Sequence, residues 1–233
     1  MSFFDEYVPR EVSNTRSLLL PVRNVSIELI TVQLFEPEKA PAKKHDVDPD
    51  GNKIIAVAHA LGNADAKLIQ PSQVSVREWV RLKCQYGCDL YAKKLTCPPF
   101  TPTIEETKRM LSEYHKILLL KFEQRPITEK DHDKFMEELN KREDQASDKT
   151  LKIEKELMLK GYYKAFALEP GTCNKCNECG PQPGKCKFPS EARPTPESLA
   201  IDIFETVKNA GWQIEIKTAP NLKWTNYALI LVE

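Results

Sequence analysis

Short apolar segments alternate along the chain with longer amphipathic ones, and this order predicts strands interleaved with helices. Residues 54–61, 116–122 and 162–168 are apolar runs of strand length with polar residues on both sides. Such runs are typical of strands buried in a sheet. Residues 74–82 alternate less regularly and fit either a strand or a short helix.

Two further segments indicate helices. Glu106 follows Thr103 by three residues, and the pair forms a capping-box sequence that predicts a helix start. Residues 128–160 are rich in Lys and Glu and carry apolar residues at helical spacing. The polar stretch at 145–150 could divide this segment into two helices.

The last part of the chain predicts a helix followed by two strands. Thr195 and Pro196 indicate a helix start, because Pro is favoured at the first helical position and Thr is a favoured cap. Gly211 is expected to end that helix. Residues 212–218 and 227–232 then predict an antiparallel strand pair around a turn.

This order of elements predicts an α/β or α+β fold, with a single mixed sheet, flanking helices and the antiparallel pair at the C-terminus. We expect residues 51–233 to form this domain and residues 1–50 to form an N-terminal extension. The apolar stretch at 17–35 could add a strand to the same sheet or could be an arm that docks a partner subunit. Residues 37–50, rich in Pro, Lys and Asp, indicate a linker or an exposed loop.

Composition narrows the class of protein. The 34 basic and 34 acidic residues give a formal net charge of zero, so no basic excess indicates a nucleic-acid partner. No signal peptide pattern and no apolar run of membrane-spanning length is present in the sequence. These features predict a cytoplasmic protein. Because cytoplasmic thiols stay reduced, clustered cysteines are interpreted first as metal ligands.

The seven cysteines fall into two groups, and the second is the more specific. It has the spacing Cys173-x2-Cys176-x2-Cys179-x6-Cys186. Zinc sites usually take two ligands from each of two separated pairs, whereas three cysteines at every third position suit an iron–sulfur cluster. The spacing therefore predicts a [4Fe-4S] cluster, with zinc as the alternative.

The first group has the spacing Cys84-x3-Cys88-x8-Cys97 and matches no common zinc finger. Each group could hold its own cluster, or ligands could be exchanged, with Cys97 completing the second group and Cys186 joining the first. Two four-iron clusters need eight ligands, so seven thiols leave one cluster with an open iron, a non-cysteine ligand or only three irons. One cluster with three inert thiols is a further alternative.

Both groups directly follow a predicted strand and precede a predicted helix, so parallel strands would bring both loops to one sheet edge. Asp89 and Tyr86, which lie between cysteines, are candidates for a non-cysteine ligand. Lys94 and Arg193 are candidates for contact with an anionic cofactor. Arg193, between Ala192 and a proline, is also a candidate for a specific anion or partner contact.

These motifs resemble a family of predicted metal-binding proteins of anaerobic bacteria and archaea. The shared marks are the first group ending in Cys97-Pro98-Pro99, the second cysteine group, the Ala192-Arg193-Pro194 sequence and the Ile201-Asp202 helix start. The resemblance covers residues 54–233. It implies a metal–sulfur cofactor and an anaerobic setting, and it implies no particular activity.

Three functions are compatible with these observations. The first is an iron–sulfur electron-transfer protein with one or two [4Fe-4S] clusters, acting as a subunit or partner of an anaerobic redox complex. The second is an enzyme in which Cys84, Cys88 and Cys97 leave one iron open as a Lewis acid for a small substrate. The third is a zinc-stabilised interaction module. The absence of flavin and nucleotide motifs favours a redox partner protein over a complete oxidoreductase.

Overall fold

A computed structural model describes residues 49–62, 65–180, 185–216 and 225–233. The predictions for residues 1–48 and for the turn between the last two strands lie outside these residues. In the described part of the chain the helices are α1 (Pro49–Gly62), α2 (Glu78–Gly87), α3 (Ile104–Leu111), α4 (His132–Leu159) and α5 (Ile203–Asn209). The strands are β1 (Asp65–Ile69), β2 (Ile117–Glu123), β3 (Phe166–Leu168) and β4 (Thr225–Leu231).

The four strands form one sheet in the order β1-β2-β4-β3, and every pairing between them is antiparallel. The α+β fold with a single sheet is therefore confirmed. Strand β2 lies inside the sheet, with Leu118 paired to Leu68 on one side and to Ile230 on the other. Strand β3 is an edge strand that pairs only with β4 in the described sheet. Because neighbouring strands run in opposite directions, the two cysteine groups do not share an edge through parallel strands.

The sheet is the middle layer of three. Leu118 and Leu120 face one side, where they pack with residues of α1 and α4. Ile117 and Leu119 face the other side, where they pack with residues of α3 and α5. Successive residues of a strand point to opposite faces, so an uninterrupted apolar run is what a strand covered on both faces requires.

The strand predicted at residues 54–61 is wrong, because these residues belong to α1. Ile54, Val57 and Ala58 are buried, and their spacing of three and four residues places them on one helical face against the sheet. The apolar run is too short for periodicity alone to distinguish a buried helix face from a strand.

The helix α4 is continuous, so the predicted division at 145–150 is also wrong. Ala146, Ser147 and Thr150 are buried there, and the Thr150 hydroxyl donates a hydrogen bond to the Ala146 carbonyl oxygen, 2.8 Å away. Small polar residues fit here because the helix lies close to the sheet. Satisfying the hydroxyl within the helix also removes the cost of burying it.

The helix expected at Thr195 begins later. Residues Glu197–Leu199 form a single 3₁₀ turn, and α5 starts after Asp202, whose carboxylate accepts a hydrogen bond from the Glu205 amide. Its end agrees with the prediction, because Gly211 follows with a positive φ of 77°. The preference for Thr and Pro at a helix start applies equally to a short turn.

The last two predicted strands have different outcomes. Strand β4 confirms the strand predicted at residues 227–232, although its partners are β2 and β3. The strand predicted at residues 212–218 is not seen, because its described part, residues 212–216, forms no strand. None of the helices in the described ranges is long and apolar enough to cross a membrane.

The capping box at the start of α3 is present as predicted. The Thr103 hydroxyl accepts a hydrogen bond from the Glu106 amide at 3.2 Å, and the Glu106 carboxylate accepts one from the Thr103 amide at 2.8 Å. The helix therefore starts directly after the loop that carries the first cysteine group.

Replacing Thr103 with Ala should lower the melting temperature by about 2–4 °C, because a helix amide loses its acceptor. Circular dichroism of the full chain measures this change. The control Thr103→Ser keeps a hydroxyl and should melt like the wild type. Equal destabilisation by both substitutions would contradict the capping role.

Candidate metal centre

The three cysteines of the first group line one cavity. Cys84 lies on α2 and Cys88 caps the end of that helix, whereas Cys97 is buried in the loop that follows. The expectation that this group follows a strand is therefore wrong, because its first cysteine is helical. All three residues line a cavity of about 250 Å³, which has room for roughly eight water molecules at about 30 Å³ each.

Arg81 holds the loop of the first group in place. Its guanidinium donates hydrogen bonds to the carbonyl oxygens of Ser198, at 3.0 Å, and Pro102, at 2.9 Å. The Thr101 hydroxyl donates to the same Ser198 oxygen at 2.7 Å. The end of the loop is thereby fixed to the Glu197–Leu199 turn, which also lines the cavity.

The second group leaves the sheet edge at β3. Cys173 is buried, and Cys176, Cys179 and Cys186 are partly exposed. The Phe188 amide donates a hydrogen bond to the Cys186 sulfur at 3.4 Å. Burial raises the pKa of the Cys173 thiol, and Cys176 and Cys186 raise it further by their proximity. Cys173 therefore lies near Cys176 and Cys186.

The two groups adjoin through one short stretch of backbone. The Lys94 ammonium donates a hydrogen bond to the Cys176 carbonyl oxygen at 3.2 Å. The Leu95 amide donates to the Cys179 sulfur at 3.4 Å. Lys94 is buried, and it has no carboxylate at ion-pair distance among the described residues. A buried cation without a paired anion is costly unless negative charge is placed beside it.

Burial disfavours the thiolate form of two cysteines in the first group, Cys84 and Cys97. Burial raises the pKa of Cys97 to about 11, and Cys88 and Cys84 contribute to the increase. Burial also raises the pKa of Cys84. A metal binds the thiolate, so metal binding must release protons from these residues.

Arg193, predicted as a contact for an anion or partner, bonds to a carboxylate of the chain itself. Its Nε and Nη2 atoms donate to the two Glu154 oxygens at 2.8 and 2.6 Å. Glu154 also accepts a hydrogen bond from the Ala167 amide at 2.9 Å. The pair ties the chain after the second cysteine group to α4 and β3. A role in contacting a cofactor remains a prediction for Arg193 and for Lys94.

Glu169 is a second buried carboxyl group beside the second cysteine group. It is 1% exposed, and its Oε1 atom has no hydrogen-bond partner among the described residues. Burial raises the pKa of Glu169 to about 7, although Lys175 and Arg193 oppose this increase. The sequence offers no motif that singles it out.

Two further carboxyl groups, missed by the sequence analysis, line the cavity of the first group. Glu143 comes from α4 and Glu197 from the 3₁₀ turn. Neither residue is near a cysteine in the sequence, since Glu143 stands 46 positions after Cys97 in a segment dense with charged residues. Asp89 and Tyr86, the non-cysteine candidates from sequence, do not line this cavity.

The donor set is rich in thiols but is not arranged around a single ion. No three Cys, His, Asp or Glu side chains in the described ranges converge closely enough to share one metal ion. Four thiolates around one zinc ion would lie about 3.8 Å apart, given tetrahedral Zn–S bonds of about 2.3 Å. The three thiols of the first group instead share the lining of one cavity.

Comparison with known families shows which protein family the chain belongs to. The family model described as predicted metal-binding protein (DUF2284) matches residues 67–232, which include all seven cysteines. The chain belongs to this family. No curated protein and no solved structure was found to match. Family membership confirms the metal-binding part of the resemblance, and the iron–sulfur cofactor and the anaerobic setting remain predictions.

Replacing Arg193 with Ala should destabilise this family member by about 3–5 kcal/mol, because the buried Glu154 carboxylate loses its cation. The melting temperature measures the effect. The matched control is Arg77→Ala, which removes an arginine that also bonds both oxygens of a glutamate, Glu205. The Arg193 and Glu154 side chains are only 12% and 2% exposed, against 50% and 36% for the control pair. Equal effects would contradict the importance of burial.

Replacing Glu169 with Gln should remove part of the pH dependence of stability. The folded-state pKa of Glu169 is raised, so its unfavourable contribution grows as pH rises from about 4.5 to about 7 and is constant above. The variant should therefore match the wild type near pH 4 and be more stable by about 2–3 kcal/mol at pH 8. Melting temperatures at both pH values test this, and a constant difference would contradict it.

Proposed function

We propose that the chain binds iron–sulfur clusters on its two cysteine groups and transfers electrons. The supporting observation is the direct contact between the groups, through Lys94 with Cys176 and Leu95 with Cys179. Electron transfer slows steeply with distance, so adjoining ligand loops favour exchange between two centres. Family membership supports metal binding. The triple cysteine spacing favours iron–sulfur over zinc.

The residues around the two groups have distinct roles in this proposal. Cys173, Cys176, Cys179 and Cys186 would hold one four-iron cluster, and Cys84, Cys88 and Cys97 the other. Bound clusters supply one-electron redox chemistry. The buried Lys94 ammonium stabilises negative charge on both sides of it, and the Leu95 amide stabilises the Cys179 thiolate. Such hydrogen bonds and charges set the reduction potential.

A redox partner protein could dock beside the first group, within a multi-subunit anaerobic complex. Helix α2 exposes Trp79, Leu82 and Tyr86 at positions three and seven residues apart, and Tyr86 is 80% exposed. Residues at this spacing share one helical face. Exposed aromatic residues are common at the centre of protein interfaces. Trp79 also lines a cavity of about 260 Å³ together with Cys84 and Cys88, so a partner bound over Trp79 would lie close to the cofactor.

A second function, an enzyme with an open iron on the first group, is favoured by the cavities. The cavity lined by Cys84, Cys88 and Cys97 adjoins a larger one of about 530 Å³. Glu143, Pro170 and Glu197 line both. A space of this size is typical of small-molecule sites, which occupy roughly 300–1,000 Å³. A small substrate held in the larger cavity could therefore reach the first group.

Anaerobic purification followed by iron and acid-labile sulfide analysis tests the proposal. Two four-iron clusters predict about eight iron and eight sulfide per chain. Replacing Cys97 with Ser and Cys186 with Ser should remove different clusters, seen as different losses in the low-temperature electron paramagnetic resonance (EPR) spectrum. Each variant should lose a different EPR signal if each cysteine group holds its own cluster.

The control for these variants is Ser112→Ala, because this serine is exposed at the end of α3 and its hydroxyl donates, within the described residues, only to the Arg109 carbonyl oxygen. It should retain all iron. Zinc without sulfide in the wild-type chain would contradict both iron–sulfur functions and favour the zinc-stabilised module. Loss of the same cluster from both cysteine variants would instead show that ligands are exchanged between the groups.

A further inference from the structure

One carboxyl group is placed at the three-cysteine cavity by the middle of the longest helix. Glu143 of α4 lines the cavity together with Cys84, Cys88 and Cys97. Three thiols leave a four-iron cluster one protein ligand short. An acid on a long helix packed against the sheet is held more rigidly than one on a loop.

The loop of the second group leaves room for this carboxyl group. A Cβ atom on Gly171 would lie 2.9 Å from the Glu143 Cβ and 3.0 Å from its Oε2 atom. Only a residue without a side chain fits at this distance. Gly171 thus allows the Glu143 side chain to pass between α4 and the loop and to reach the cavity wall.

The Glu143 carboxyl group has a polar neighbour in the sheet. Glu143 and Asn226 of β4 both line the larger cavity, and Asn226 lowers the pKa of Glu143. The Asn226 oxygen accepts a hydrogen bond from the Gln124 amide group at 3.0 Å, which orients the Asn226 side chain. One polar neighbour leaves most of the acceptor capacity of the Glu143 oxygens unused.

The charge of Glu143 is not balanced by the protein. Burial raises the pKa of Glu143 to about 7, and the nearby Asp144 and Glu197 raise it further. Within the described residues Glu143 has no lysine, arginine or histidine at ion-pair distance. A half-buried carboxyl group in this setting is stabilised as an anion when a cation is supplied beside it.

The other carboxyl group at the cavity is less suited to this role. Burial raises the pKa of Glu197, whereas its own amide and the Thr195 side chain oppose the increase. The polar neighbours of the Glu197 carboxyl group therefore belong to its own 3₁₀ turn. The Glu197 carbonyl oxygen is also 3.8 Å from the Cys84 sulfur, which places its backbone beside the first group.

We propose that Glu143 is the non-cysteine ligand that completes the set formed by Cys84, Cys88 and Cys97. This inference rests on the proposed iron–sulfur function and deepens it. A carboxylate is a harder and more exchangeable ligand for iron than a thiolate. An added ligand could then displace the Glu143 carboxylate from its iron. Glu143 also lines the larger cavity, from which such a ligand would approach.

The test is Glu143→Gln, which keeps the size of the side chain and removes the charged ligand. The anaerobically purified variant should contain about one iron fewer per chain than the wild type, with unchanged sulfide. Its oxidised form should show the EPR signal of a three-iron cluster, which oxidised four-iron clusters of the ferredoxin type lack. Glu143→Asp, which keeps a carboxylate, should retain more of the fourth iron.

Two controls separate a ligand from a structural residue. Glu137→Gln changes an exposed glutamate of the same helix, and Glu197→Gln changes the other acid at the cavity; both should keep the full iron content. If Glu143→Gln does not fold, Gly171→Ala decides, because its Cβ should displace the Glu143 side chain and produce the three-iron signal.

The possible results distinguish this inference from the function on which it rests. A wild-type chain without iron and sulfide would overturn the iron–sulfur function itself. Full wild-type clusters together with an unchanged iron content and spectrum in Glu143→Gln would overturn only the assignment of Glu143. A three-iron signal from Glu197→Gln and not from Glu143→Gln would overturn it as well.

Discussion

The buried ion pair between Glu154 and Arg193 is the interaction on which the arrangement of the second cysteine group depends. Its carboxylate joins three elements, because it accepts hydrogen bonds from the guanidinium and from the Ala167 amide of β3. The Glu169 amide adds a bond to the Pro194 carbonyl oxygen at 2.9 Å. The loop that carries four cysteines therefore starts and ends at one fixed place on the sheet edge.

Helix α4 connects both cysteine groups to the fold. Glu143 and Glu154 are separated by 11 residues, close to three helical turns, so both lie on the same face of the helix. One carboxyl group anchors the second group, and the other lines the cavity of the first. The unbroken helix therefore holds these two carboxyl groups, one beside each cysteine group, at a fixed separation.

The sequence predicted the features that depend on local chemistry. The capping box at Thr103 was confirmed because its two hydrogen bonds lie within one turn. The strand at residues 54–61 was wrong because a buried helix face and a strand share the same apolar residues over so short a run. Glu143 was missed because its position at the thiols is created only by packing of α4 against the loop at Gly171. Tertiary contacts of this kind have no local signal in a charged helix.

Helix α1 has a further consequence for the limits of the folding unit. It lies wholly before residue 67, where the family match begins, yet Ile54 and Ala58 are completely buried against the sheet and α4. A chain shortened to the matched segment would expose Leu118 and Leu120 of β2 to water on that face. The folded domain of this chain therefore extends beyond the segment that the family model matches, because α1 covers one face of the sheet.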